Sequence, residues 1–323
     1  MRAIVLHEFG PAGNLMPEDL PDPVPGPGQV RIVVRAAGVH TIETAMREGL
    51  AIGPPLPELP AVFGGEVSGT VDAVGPDVDP AWIGKDVVTG GGSPGGYAEL
   101  AVADVVSLHE VPEGLGHRAA VAMITTGRTA VEFLDIAQLT PDDVVLVTSA
   151  AGGIGWLVVQ YGLDLGATVV AAAGGPIKTA AVRNLGATVA VDYNAPGWGE
   201  TVREALGGRR VTAVLDGVGG AKAREAFELL ADGGRFVSIG ASSREDFEPD
   251  PELVESRDLT VTDALALLLT RPELSDGTQE RALASAAEGR MVPAIQVFPL
   301  EKAAQAHAAL ESRATSGKVV LEP

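Results

Sequence analysis

The chain has 323 residues, enough for two domains, and 46% of them are hydrophobic, enough for a sizeable core. It holds no cysteine, which excludes disulfides and thiolate metal sites and points to the cytoplasm. Its formal charge of −20 is spread along the chain and argues against nucleic acid as a partner; no apolar run reaches membrane-spanning length, and MRAIVLHEFG is not a secretory leader.

The first 110 residues read as strands and turns. RAIVL (2–6), QVRIVVRAAGV (29–39), EVSGTVDAVG (66–75) and YAELAVA (97–103) alternate or are rich in β-branched residues. Proline and glycine punctuate them at PDPVPGPGQ (21–29) and TGGGSPGG (89–96). HRAAVAMITTGRTAVEFLDIA (117–137) has apolar residues at helical spacing. A βα rhythm follows. VVLVT (144–148), TVVAAA (168–173), TVAVDY (188–193), VTAVLD (211–216) and GRFVSIG (234–240) read as strands, with helices at 154–165 and 177–185. Leu-Gly-Ala-Thr occurs at 165–168 and again at 185–188, each time ending a helix and opening a strand. This order predicts an α/β fold with a doubly wound parallel sheet. RDLTVTDALALLL (257–269) reads as a last strand and an apolar helix. PAIQVFPL (293–300), a helix at 301–312 and KVVLE (318–322) return to the character of the first part.

Between the strand at 144 and the helix at 154 lies SAAGGIG (149–155). It matches the dinucleotide fingerprint G-x-G-x-x-G with Ala150 in first place, then Gly152 and Gly155. Gly152 lets backbone approach a pyrophosphate, Gly155 lets helix and strand pack closely, and the helix start offers free N–H groups to the anion. An NAD enzyme carries an acid about 20 residues beyond the first glycine for the ribose 2′-hydroxyl. That region is AAAGG (171–175), without an acid, which admits a 2′-phosphate. Lys178 follows within reach, and Tyr193 closes the next strand. The cofactor expected is therefore NADPH.

At this point the chain resembles a zinc-free medium-chain dehydrogenase/reductase of the NADPH:quinone oxidoreductase subfamily. The likeness is carried in order by GVHTIETAMREG (38–49), FGGEVSGTVDAVG (63–75), GGYAEL (95–100), TTGRTA (125–130), SAAGGIG (149–155), VLDGVGG (214–220), LADGGRFVSIG (230–240) and SGKVVL (316–321). It implies a GroES-like β-rich catalytic domain at 1–119 and 290–323 around a Rossmann NADPH-binding domain at 120–289. It implies cofactor contacts from Ala151, Gly152, Gly153, Ile154, Gly155, Gly174, Lys178, Tyr193, Val218, Gly240 and Lys318. It also implies a homodimer paired through the strand near 260. Zinc-dependent relatives have cysteine where this chain has His40 and histidine where it has Gly65; His40 and Glu66 alone do not make a tetrahedral site. No metal is expected. Where the quinone reductases commonly carry Asn and, three residues on, Asp, this chain has His40 and Glu43. Ala45 and Ala51 replace aromatic residues often found there, so the acceptor pocket is reshaped.

The activity implied is hydride transfer from NADPH to a quinone or enone, without zinc or flavin. The protein's part is to place donors near the developing oxyanion, and the resemblance puts His40, Thr41 and Thr126 around the nicotinamide. His40 is the candidate hydrogen-bond or proton donor, or else a loop residue that fills space; Glu43 orients the loop or pairs with Arg47. Two alternatives stand beside the quinone reductase. One is an enoyl or 2-alkenal reductase, in which the hydride goes to the β-carbon and a proton to the α-carbon. The other is a non-catalytic NADPH-binding protein.

Overall fold

Alternation along QVRIVVRAAGV turns Val30, Ile32 and Val34 into one buried face, and this stretch becomes a central strand. The computed structural model describes residues 1–51, 55–90 and 95–323. The chain forms two compact units, Met1–Thr126 with Ala282–Pro323, and Gly127–Arg281.

In chain order, the first unit begins with β1 (Arg2–Leu6), β2 (Leu15–Asp19), β3 (Gln29–Val39), α1 (Thr41–Arg47) and β4 (Ala61–Val62). It continues with β5 (Glu66–Val74), β6 (Asp86–Gly90), β7 (Leu100–Asp104), β8 (Leu108–Glu110) and α2 (His117–Ala122). The second unit holds α3 (Arg128–Ala137), β9 (Val144–Val147), α4 (Gly153–Leu165), β10 (Thr168–Ala173), α5 (Pro176–Asn184), β11 (Val189–Asp192) and α6 (Trp198–Leu206). It continues with β12 (Val211–Asp216), α7 (Gly220–Glu228), β13 (Leu230–Ser238), α8 (Pro251–Ser256), β14 (Thr260–Asp263) and α9 (Ala264–Thr270). Within α10 (Thr278–Ala287) the first unit resumes, at Ala282, and it goes on with β15 (Ile295–Pro299), α11 (Ala303–Glu311) and β16 (Lys318–Glu322).

The main sheet of the first unit runs β15-β16-β3-β5-β6-β8, with β7 also on β3. β16 and β5 lie on either side of β3, both antiparallel to it. Ile4, Leu6, Ile32, Val67, Tyr97, Val319 and Leu321 form its core. In the second unit six parallel strands run β11-β10-β9-β12-β13-β14, the doubly wound sheet expected. Its core joins Leu146, Val170, Val214 and Phe236 to Val202 and Phe227 from the helices.

The helical stretch at 117–137 is three pieces, because Met123–Gly127 forms a wider π turn between α2 and α3. That turn packs on the end of β6: a Cβ on Gly90 would meet Thr125 Oγ1 at 2.6 Å. The two units divide at 126 and 282. The reason is packing, since α2 lies on β3, β5 and β6 and draws the chain after it into the first unit. The glycine-rich residues 91–94 lie outside the described residues.

Candidate functional site

In the first unit three strand ends meet. β3 ends at Val39, opposite Val319 of β16, and Ala37 stands opposite Val67 of β5. Because both neighbours run antiparallel to β3, their first residues, Glu66 and Lys318, lie beside its last. His40 follows at once as the N-cap of α1. Lys318 Nζ is 2.6 Å from Glu66 Oε2 and 2.9 Å from His40 Nε2, and His40 Nε2 is 2.8 Å from Glu66 Oε2. Gly38 makes the meeting possible, since a Cβ there would stand 1.8 Å from Glu66 Oε2 and 3.0 Å from Lys318 Cε.

Glu66 and Lys318 are 1% and 5% exposed, whereas the His40 side chain is 25% exposed. Burial pushes the Glu66 carboxyl up, but the Lys318 ammonium and His40 more than reverse this and hold it at about 2. Glu66 is therefore an anion that only accepts hydrogen bonds. His40 Nε2 stands between this acceptor, at 2.8 Å, and the Lys318 ammonium, at 2.9 Å.

A second network fixes the His40 backbone. Its N–H donates to Glu43 Oε2 at 2.7 Å, and the Tyr97 hydroxyl donates to the same oxygen at 2.7 Å. The Tyr97 oxygen then accepts from His307 Nε2 at 3.1 Å. Glu43 thus orients the loop, as expected, and does so from a buried position. The alternative pairing with Arg47 is not formed. Arg47 turns instead to Glu311 and to Glu48. Thr41 is the exposed first residue of α1, and Thr126 is half-buried in the π turn. No hydrogen bond among the described residues joins either to His40. Ala45 is buried, and Ala51 is exposed.

Zinc does not fit this point. Gly65 offers no ligand, and the Lys318 ammonium, 2.6 Å from Glu66 Oε2 and 2.9 Å from His40 Nε2, already brings a positive charge to the two adjacent groups. Among the described residues no three His, Cys, Asp or Glu side chains are grouped to hold a metal.

In the second unit, SAAGGIG forms a strand–turn–helix as expected. Ser149 takes a left-handed conformation (φ 50°), Ala150 N–H donates to Ala172 C=O at 3.1 Å, and α4 begins at Gly153 with no side chain capping it. A Cβ on Gly155 would stand 2.4 Å from Ser149 C=O, so only glycine allows this approach of helix to turn. Ala151, Gly152, Gly153 and Ile154 supply the rest of the turn, and the uncapped helix start suits a pyrophosphate. At the ends of β10 and β11, a Cβ on Gly174 would stand 3.2 Å from the Tyr193 hydroxyl. Lys178 lies in the first turn of α5, and the Lys222 ammonium sits 4.9 Å over the Tyr193 ring. Val218 and Gly240 lie in the loops after β12 and β13. Buried Asp216 shapes the first of these, accepting from Thr148 Oγ1 at 2.5 Å and Gly219 N–H at 2.8 Å. The residues present fit a dinucleotide.

Three features escaped sequence reasoning. The Lys318 ammonium lies at His40 and Glu66, a meeting that its motif does not announce. Lys222 gave no local signal. An acid does reach the turn after β10, though not from 171–175: Asp192 of the next strand accepts from Gly175 N–H at 2.8 Å and Asn194 N–H at 2.9 Å.

Residues 26–113 match the alcohol dehydrogenase GroES-like domain, and residues 185–321 match the zinc-binding dehydrogenase family. A 2-haloacrylate reductase from a Burkholderia species is 31% identical over 336 residues, covering 99% of this chain and 98% of its own. The quinone oxidoreductase of Pseudomonas aeruginosa is 31% identical over 310 residues, covering 93% and 92%. The crystal structure of Escherichia coli quinone oxidoreductase complexed with NADPH superposes with a TM-score of 0.86 at 27% identity, covering 100% of both chains. With its β-rich and doubly wound units, its glycine turn and full-length relatives above 30% identity, the chain belongs to the medium-chain dehydrogenase/reductase superfamily of NAD(P)-dependent oxidoreductases, among its quinone oxidoreductase-like members.

Proposed function

We propose that the chain is an NADPH-dependent reductase of quinones or similar activated carbonyl acceptors that works in the cytoplasm without zinc or flavin. The observation that carries this reading is the His40–Glu66–Lys318 cluster, in a chain whose other unit presents a dinucleotide turn. The preference for NADPH rests on the acid-free stretch at 171–175, on Lys178 and Tyr193, and on the NADPH held by the similar E. coli enzyme. The dinucleotide, when bound, supplies a hydride to the acceptor's carbon. His40 meets the charge that then builds on the acceptor's oxygen, first as hydrogen-bond donor and then as proton donor. Glu43 keeps the His40 backbone in place.

A second reading is favoured by the similarity to a 2-haloacrylate reductase. There the hydride goes to the β-carbon of a conjugated alkene and the α-carbon takes the proton. NADPH oxidation measured with a quinone, with an α,β-unsaturated ketone and with 2-chloroacrylate separates the two. His40→Ala is expected to lower kcat by roughly 10²-fold on the alkenes, with little change in NADPH affinity. The quinone draws its protons from water and is less affected. NADPH binding with no turnover of any acceptor would leave a non-catalytic binding protein. We further propose a homodimer joined through β14, an edge strand of its sheet with Val261 and Leu265 exposed.

A further inference from the structure

His40 faces charged or titratable groups from four places. Glu66 comes from β5, Lys318 from β16, and Glu43 from its own helix; Tyr97 stands behind Glu43. The neutral ring has one proton, and its Nε2 lies between the Glu66 carboxylate and the Lys318 ammonium. His40 can hand a proton to an acceptor only when it holds two. Two neighbours act on that second proton in opposite senses. The Glu66 anion at 2.8 Å favours it, and the Lys318 ammonium, 2.9 Å from Nε2 and 3.4 Å from Nδ1, opposes it.

We propose that Lys318 is a positioning residue for His40, which together with Glu66 sets the pH at which the imidazole gains the proton it donates to the acceptor. The inference rests on the reductase reading and deepens it. The step balances: the acceptor's carbon gains a hydride from the reduced dinucleotide, and the adjacent oxygen or α-carbon gains a proton from the imidazolium. The ring is left neutral, beside Glu66, and water recharges it. Lys318 never touches the acceptor in this scheme. It stays buried, and its charge keeps the imidazole ready to release its proton.

The opposed signs make the test. The alkaline limb of the kcat profile with an α,β-unsaturated ketone reports the loss of the second proton. Lys318→Met removes the opposing charge and is expected to move this limb up by about one pH unit or more. Glu66→Gln removes the favouring charge and is expected to move it down by a similar amount. Lys318→Arg keeps the charge and is expected to leave the limb in place. The His40 ring signals, assigned by their loss in His40→Ala and followed by NMR titration, are expected to shift their midpoints in the same directions. That measurement needs no turnover. NADPH titration by fluorescence and a cooperative thermal transition check that each variant is folded, with Lys318→Gln in reserve if Lys318→Met is not. Limbs and midpoints that stay put, or move the same way in both variants, overturn the inference, and an inactive His40→Ala then leaves the reductase reading standing. Full turnover by His40→Ala removes both the donor role and the inference built on it.

Discussion

Folding keeps His307 neutral. It is fully buried; burial, and then the nearby Arg47 guanidinium, push it from its ordinary 6.5 down to about 3. Between these values the unfolded chain binds a proton that the native chain does not, so stability rises with pH across this window. The contribution is complete above pH 6.5 and is lost as pH falls toward 3. Glu66 and Asp143, both lowered to about 2 from ordinary carboxylate values, lose theirs only below about pH 4.5. Acid sensitivity is therefore expected to begin above the carboxylate range. Urea midpoints at pH 7, 6 and 5 should fall for the wild type. In His307→Gln, which keeps a donor for Tyr97, they should fall much less. Equal slopes in the two proteins would place the early sensitivity elsewhere. None of this was visible in the sequence, where His307 is one of five scattered histidines and Tyr97 lies 210 positions away.

Among the elements, those set by local pattern were legible. TVVAAA, VTAVLD and KVVLE form strands at the predicted residues, because buried β-branched runs between turn signals leave the chain little choice. The glycine turn was legible for the same reason, and its use can be measured. Lys178→Ala is expected to weaken NADPH by about 1–3 kcal/mol, the scale of a charge-assisted hydrogen bond, and to leave NADH nearly unchanged in parallel titrations. Equal losses for both dinucleotides would remove Lys178 from the 2′-phosphate. Features that depend on register were not legible. Nothing near Lys318 in the sequence names Glu66 or His40; the pairing of β16 and β5 with opposite edges of β3 brings them together. The π turn was not legible either, because helical spacing of apolar residues does not tell a π turn from an α turn.

On the scale of the whole molecule, a six-stranded sheet that ends in β14 leaves a row of backbone groups at its edge. Pairing with the same strand of a second chain about a two-fold axis would satisfy them and cover Val261. Light scattering at micromolar concentration is expected to give twice the chain mass, and Val261→Pro, which removes a donor and bends the strand, to give the single mass. A single mass for the unaltered protein would end the dimer proposal. The order of assembly has a further consequence. Lys318 comes 278 positions after His40, with the whole dinucleotide unit between them. During synthesis the ribosome finishes that unit while β16, and with it the ammonium, is still unmade. On the reading proposed above, the dinucleotide unit is complete before the charge that tunes His40 exists, so the tuning of the proton donor is the last part of the site to be made.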